Sequence, residues 1–425
     1  MDHAHKHTQC ASASSCYLQR KPEQTLLYHL VQKHLQQLDR TVEQSDLSMP
    51  TSVRREFQKY LECGRFEEGF LRLSCCGCNY DSLVAFSCKG RGFCPSCGAR
   101  RMAQTAANLV DHVLPHQPYR QWVLSLPYPL RFLAAREPEV LSVTLAISQK
   151  IIQRFLTADL AQGAHTGGIA VVQRFGSALN LNPHFHILML DGYYHQDHQG
   201  KLQFVQSRPP SKDQIQTVCI KIAQAVAKKL EKMGYLVKDL ADGHYLSDQE
   251  VDLLGDLQSH SITYRIAVGP RRGQKVFQLQ LLPPSDEPAN GSHDPCAQYA
   301  GFNLHAGLKI GSKRRDKLEK LCRYIARPPL AHARLSMTED EKVSYRLKTP
   351  FRNGATHVIF ETEDFIAKLA ALVPPPRANL IRYFGVFAPA SPLRRDIVPK
   401  PIRQENPKQG GGDKPVNEKQ RHYCH

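Results

Sequence analysis

Residues 182–194 read NPHFHILMLDGYY. Side chains alternate faces along a strand, so His184 and His186 share one side with Leu188 and Leu190, while Phe185, Ile187 and Met189 share the other. Two residues of rise put the histidine backbones about 7 Å apart, and their imidazoles can converge on one ion. Two imidazoles leave several positions open on Mg²⁺ or Mn²⁺. Phosphate oxygens can fill those positions, the ion then acting as a Lewis acid. Hydrogen-bonded core histidines show the same spacing, so the spacing alone leaves both readings open.

The segment SCCGCNYDSLVAFSCKGRGFCPSCGARRM carries a second chemistry. Cys75-x2-Cys78 is followed after fifteen residues by Cys94-x2-Cys97. Zinc prefers four tetrahedral ligands and thiolates serve well, so two such knuckles predict one closed structural Zn²⁺ site. Cys63 and Cys88 are further thiols, available as alternative ligands or for a second ion. Lys89, Arg91, Arg100 and Arg101 surround the knuckles, as in modules whose basic side chains meet phosphate. An ordinary solvated face would also carry such charge.

A third candidate lies in KRRDKLEKLCRYIARPP, residues 313–329. Leu318, Leu321, Cys322 and Ile325 follow helical spacing and form the stripe expected to be buried. Tyr324 lies off that stripe, on the face of Lys313, Lys317 and Lys320, with Arg327 close by. Cations there would stabilise a phenolate and attract a phosphate, which suits a nucleophile. On spacing alone a surface tyrosine covering an apolar edge remains the simpler reading.

The elements that must position these residues can be read from periodicity. Apolar residues recur at helical spacing in 23–40, around Phe57, Tyr60 and Leu61, in the basic stretch Gly98–His112, in the run from Glu139 to Leu160, and in 211–233. A further helix over Asp316–Ala326 is stopped by Pro328-Pro329. QWVLSLPYPL reads as a strand entering a turn. GGIAVVQRFGSAL and the histidine strand flank the turn signal NLNP and form an antiparallel hairpin. YRIAVG, KVFQLQLL and THVIFE are further strand candidates. The whole is α+β.

The 425 residues imply several domains. The boundaries run as a flexible tail over 1–20, a zinc-binding DNA-recognition domain over 21–116, a central domain over 117–335, a C-terminal extension over 336–394, and a disordered basic tail over 395–425. Lys and Arg number 56 against 39 Asp and Glu, a net charge of +17, which suits a polyanion such as nucleic acid. Thirteen cysteines, seven of them between Cys63 and Cys97, point to metal rather than disulfides. There is no apolar run long enough to span a membrane and no signal-peptide core, so a cytoplasmic protein is expected.

Zinc knuckles, a His-x-His strand and a tyrosine helix ending in Arg-Pro-Pro stand in that order. With LVAFSCKGRGFCPSCGARRM, WVLSLPYPLRF, NLNPHFHILMLDGYY, LCRYIARPPLAHARL, LKTPFRNGATHVIFE and RYFGVFAP, the chain resembles the rolling-circle HUH transposases of insertion-sequence family ninety-one and the related common-region elements. The resemblance covers most of residues 60–390. It implies an N-terminal four-cysteine zinc-binding domain followed by an HUH nuclease-like antiparallel sheet with flanking helices.

By that resemblance His184 and His186 hold catalytic Mg²⁺ or Mn²⁺, and Tyr324 attacks single-stranded DNA at an element end. Some members carry a second tyrosine four residues earlier. Lys320 stands there, so this chain looks like the single-tyrosine branch. Phe384 stands where many members have a histidine. Gln173, on the partner strand of the hairpin, is the expected third ligand, with Asp191 the alternative. Tyr193 and Tyr194 are rival nucleophiles. Arg91, Arg100, Arg101, Lys313, Lys317, Lys320 and Arg327 are the expected DNA contacts, and the partners are single-stranded element ends and target DNA. A zinc-dependent DNA-binding protein without nuclease activity, or a plasmid-type replication initiator or relaxase, are the alternatives.

Overall fold

The computed structural model describes residues 21–43, 48–74, 81–157, 163–238, 244–246, 252–284 and 295–400. The expected tail over 1–20, most of the C-terminal tail, and Cys75 and Cys78 lie outside the described residues.

Two amphipathic helices come first, α1 (Leu26–Glu43) and α2 (Thr51–Glu62). A hairpin of β1 (Phe70–Ser74) and β2 (Asp81–Ala85) leads into α3 (Pro95–His112). Then come β3 (Tyr119–Ser125), α4 (Tyr128–Arg136), α5 (Pro138–Leu156), β4 (Gly167–Phe175) and β5 (Leu181–Leu190). A side hairpin, β6 (Gly192–Gln196) and β7 (Leu202–Gln206), precedes α6 (Lys212–Lys232). A small pair follows, β8 (Leu236–Lys238) and β9 (His244–Leu246), and then α7 (Leu253–Ile262). The next strands are β10 (Phe277–Gln280), β11 (Cys296–Tyr299), β12 (Phe302–His305) and β13 (Lys309–Ile310), followed by α8 (Arg315–Ile325). β14 (Leu335–Met337), β15 (Val343–Arg346), β16 (Ala355–Phe360), α9 (Thr362–Leu372), β17 (Ile381–Gly385) and α10 (Arg394–Ile397) complete the order.

The central sheet is antiparallel, in the order β11-β12-β3-β5-β4-β17, with β13 also on β3. Its two faces are buried differently. Trp122, Leu124, Phe185, Ile187 and Met189 pack under α4, α5 and α6. Tyr119, Ile169, Val171, Leu188 and Leu190 pack under α3 and α8. The alternation expected for β5 therefore holds, and its histidine face is turned toward α8. Phe384 on β17 is buried in the core of the α5–α6 face, opposite the histidines.

A second core joins α1 and α2, the cysteines, α7, α9 and the four-stranded sheet β10-β16-β15-β14. Residues of the N-terminal segment and of the C-terminal extension thus share one apolar interior.

Three local expectations differ. NLNP is not the turn: the chain reverses over 176–180, where Gly176 N–H donates to Asn180 O, and Asn182 and Pro183 already belong to β5. YRIAVG makes only an isolated bridge, Arg265 to Lys275, because Ala267 N–H is taken by the Asp364 carboxylate of α9 instead of a strand partner. Residues 395–397, placed at the start of a disordered tail, belong to a helical turn, Arg394–Ile397, that buries Ile397.

Candidate metal centres and nucleophile

The central site is assembled from three elements. His184 Nδ1 lies 2.7 Å from the Asn182 carbonyl. A carbonyl can only accept, so the proton sits on Nδ1 and Nε2 carries the lone pair. That Nε2 is 3.2 Å from His186 Nε2. Two nitrogens on one ion at about 2.1 Å, subtending roughly 90–110°, stand about 3.0–3.4 Å apart. The pair is therefore spaced as two ligands of one ion. Burial, then the Arg327 charge, hold the His184 imidazole down to about 4. Burial and the neighbouring His184 hold His186 down to about 2. Both rings stay neutral near pH 7, as ligands must.

His186 Nδ1 faces the Gln121 carboxamide at 2.8 Å. Gln121 belongs to β3 and is buried on the histidine face. Sequence reasoning missed it, although a glutamine inside an otherwise apolar strand was the available signal. Such partners fix the tautomer and orientation of a metal-ligating histidine.

Gln173 is registered directly opposite His184. Its Nε2 donates to the carbonyls of Tyr324 (3.2 Å) and Ile325 (2.7 Å), clamping the end of α8 to the sheet. Its Oε1 is buried without a hydrogen-bond partner. The donor set thus includes one free oxygen beside two neutral imidazoles, which fits Mg²⁺ or Mn²⁺.

α8 brings Tyr324 over the histidines. Its ring stands edge-on to His186, centroids 5.9 Å apart. Arg327 Cζ lies 4.3 Å from the tyrosine ring centroid and Lys348 Nζ 4.8 Å. Lys348 follows β15 in the second sheet, and no local pattern marked it. Tyr324 remains 39% exposed. Lys313, Lys317 and Lys320 are exposed before and along α8.

The remaining candidates lie elsewhere. Asp191 is fully buried but spent on Arg120 (2.8 and 3.3 Å) and Lys309 (3.4 Å), so it is not a ligand. Tyr194 packs on Phe204 in the side hairpin, and Tyr193 is in the same strand, away from the histidines.

The thiol cluster consists of Cys63, Cys88, Cys94 and Cys97, all Sγ atoms within 4.8 Å of one another. The closest contacts are 3.9 Å (Cys63–Cys94), 3.6 Å (Cys63–Cys97) and 3.4 Å (Cys88–Cys97). Four sulfurs at about 2.3 Å from a tetrahedral zinc stand roughly 3.8 Å apart. The residues fit structural Zn²⁺. Cys94 and Cys97 were expected here; among the described residues their partners are Cys63 and Cys88, the further thiols offered as alternative ligands, while Cys75 and Cys78 lie outside the described residues. Cys63 follows α2, and Cys94 and Cys97 open α3. Hydrogen bonds from Cys88 above all, and from Cys94 and Cys97, push the Cys63 thiol toward thiolate. Of the surrounding cations, Arg91 donates to Ala378 O and Arg101 to Lys89 O and Gly90 O, while Arg100 is exposed.

α3 carries the thiol cluster onto the histidine face of the central sheet. Gly98 sits so close to Pro328 that a Cβ there would be 2.5 Å from the proline Cβ. Arg315 of α8 donates to the carbonyls of Leu114 and Pro115 at the end of α3.

Comparison with known families gives two matches. A family model described as "Putative transposase" matches residues 167–395, and the transposase zinc-binding domain of insertion-sequence family ninety-one matches residues 30–126. Searches of curated proteins and of solved structures returned no match. Among the described residues no helix is long and apolar enough to cross a membrane.

Proposed function

The chain belongs to the transposases of the insertion-sequence family ninety-one type, and from that premise we propose that it nicks and joins single-stranded DNA at element ends through a 5′-phosphotyrosine on Tyr324. The observation that carries this reading is the Tyr324 ring standing 5.9 Å from His186, above a pair of neutral imidazoles spaced for one ion.

The phenol oxygen of Tyr324 attacks the scissile phosphorus. The bond to the 3′ oxygen breaks, that oxygen takes a proton and leaves as a 3′ hydroxyl, and the 5′ phosphate stays on the tyrosine. A second strand's 3′ hydroxyl later attacks the same phosphorus, and the phenol is regenerated. No nucleotide hydrolysis is needed, because the phosphotyrosine conserves the bond. His184, His186 and the Gln173 oxygen would hold Mg²⁺ or Mn²⁺, which when bound supplies Lewis-acid polarisation of the phosphate. Arg327 and Lys348 offset the charge on the phosphate, and Gln173 holds the end of α8 so that the phenol keeps its place. Lys320 stands one turn before Tyr324, so a single phenol serves both steps.

Covalent trapping tests this. Purified protein is incubated with Mn²⁺ and labelled single-stranded DNA from the element end, then run on a denaturing gel. The expected result is a labelled protein band that disappears with EDTA and in Tyr324→Phe. A band surviving Tyr324→Phe refutes the nucleophile. Tight binding with no band on any strand containing the true end would leave a DNA-binding protein only.

A further inference from the structure

Between α3, the end of α8 and β4 lies a cavity of about 100 Å³. A water needs roughly 10–15 Å³ by the same kind of measure, so there is room for a phosphate group. Arg91, Arg101, Arg174 and Arg327 line it, and no carboxylate does among the described residues.

Arg174 is the unusual member. It is only 5% exposed. Its Nη1 donates to the Ala135 carbonyl near the end of α4 (3.0 Å), while Nε and Nη2 are buried without a hydrogen-bond partner. The other buried arginine of the central sheet, Arg120, is forked onto Asp191. Arg174 has no such partner, and an unpaired buried guanidinium is costly to keep. β4 lines the cavity with residues 171–175, and a β-bulge between Gln173 and Phe175 interrupts its alternation of faces there. Bulges of this kind re-aim side chains beside active sites. Arg327 borders the cavity and also lies over the Tyr324 ring.

We propose that this cavity is a phosphate pocket, gripping a backbone phosphodiester of the bound single strand beside the scissile one, with Arg174 as its buried anchor. Two free donors on one planar fork match two oxygens of a phosphate. The zinc module and the nuclease sheet then hold one strand between them. The inference rests on the reading that single-stranded DNA is presented to Tyr324.

The test is a methylphosphonate scan. Single-stranded oligonucleotides from the element end, each with one backbone phosphate neutralised, are bound to the full-length protein and to Arg174→Met. With wild type, one position other than the scissile phosphate weakens binding about tenfold or more, the scale of a charge-assisted pair. Arg174→Met binds the unmodified strand about tenfold more weakly and loses its sensitivity at that position, with an undiminished Tm for the free protein. Unchanged affinity together with an unchanged scan overturns the proposal. Should Arg174→Met fold poorly, Arg174→Lys keeps the charge but not the fork. It is expected to lose affinity at the same position, and wild-type affinity with a wild-type scan again overturns the proposal.

Inorganic phosphate is the second probe. A rise in Tm with phosphate in wild type but not in Arg174→Met, with a flat scan, assigns a free anion and overturns the strand assignment. Trapping on Tyr324 separates this pocket from the nuclease reading. Trapping with a flat scan removes the pocket alone. The expected scan without trapping removes the nuclease alone.

Discussion

Gln121 offers a direct test of how the histidine pair is built. It contacts no substrate in the proposed scheme, yet its carboxamide is 2.8 Å from His186 Nδ1 and is buried. Gln121 presents its Nε2 to Nδ1; ligation through His186 Nε2 requires the proton on Nδ1, and the carboxamide meets it once turned over to present its oxygen. Gln121→Leu keeps the volume and removes that acceptor. The ring then loses its tautomer preference and its fixed orientation, and the buried Nδ1–H is left without a partner. Losing such an outer partner costs 10–100-fold in metal affinity, about 1.4–2.7 kcal/mol. Mn²⁺ titration followed by electron paramagnetic resonance measures this directly, with His184→Ala as the variant expected to abolish the site. Trapping at saturating Mn²⁺ should recover much of the wild-type level in Gln121→Leu, because the defect is in affinity. Mn²⁺ binding within twofold of wild type would refute the argument that Gln121 orients a ligand.

Cys63→Ala should lose zinc, whereas Cys75→Ala should keep it, as measured by zinc content of the purified proteins; structural zinc contributes about 10–16 kcal/mol of apparent binding energy, so the loss should also lower Tm sharply. Full zinc in Cys63→Ala would break the quartet. Gly98→Ala places a methyl against Pro328 and should cost about 1–3 kcal/mol by overpacking, read by urea denaturation together with weaker trapping; unchanged values would show that α3 does not seat on the Arg-Pro-Pro segment. Burial keeps His184 near 4 and His186 near 2, against 6.5 when unfolded. The unfolded chain therefore takes up protons first, so without metal the stability is full above about pH 6.5 and falls as pH drops toward 4. The slope is roughly 1.4 kcal/mol per pH unit for each ring that stays neutral, and a pH series of urea midpoints, flattened by His184→Gln, checks it.

Periodicity and spacing carried far here because they are local. Helical spacing marked α1, α2, α3, α5, α6 and α8. Alternation put His184 and His186 on one face of β5, and the buried stripe of α8 left Tyr324 on its rim. The resemblance added the order of the parts. Where local signals were ambiguous the reading slipped. YRIAVG looked like a strand because its side chains are β-formers, but an aspartate on α9 took the backbone donor that a ladder needs.

What the amino-acid sequence by itself determined, then, is the chemistry available and the face each reactive side chain occupies, since both follow from residue type and backbone period. Only the tertiary structure decided which faces meet. It packed α8 on the histidine side of the sheet, bringing Tyr324 beside His186. It drew Cys63, distant in the chain, together with Cys88 onto Cys94 and Cys97. It set Gln121 against His186 and Lys348 over Tyr324, from two different strands or their ends. The physical reason is that burial rewards any pairing of apolar faces that excludes water, so the choice among pairings lies in the packing of the whole chain and not in any one segment.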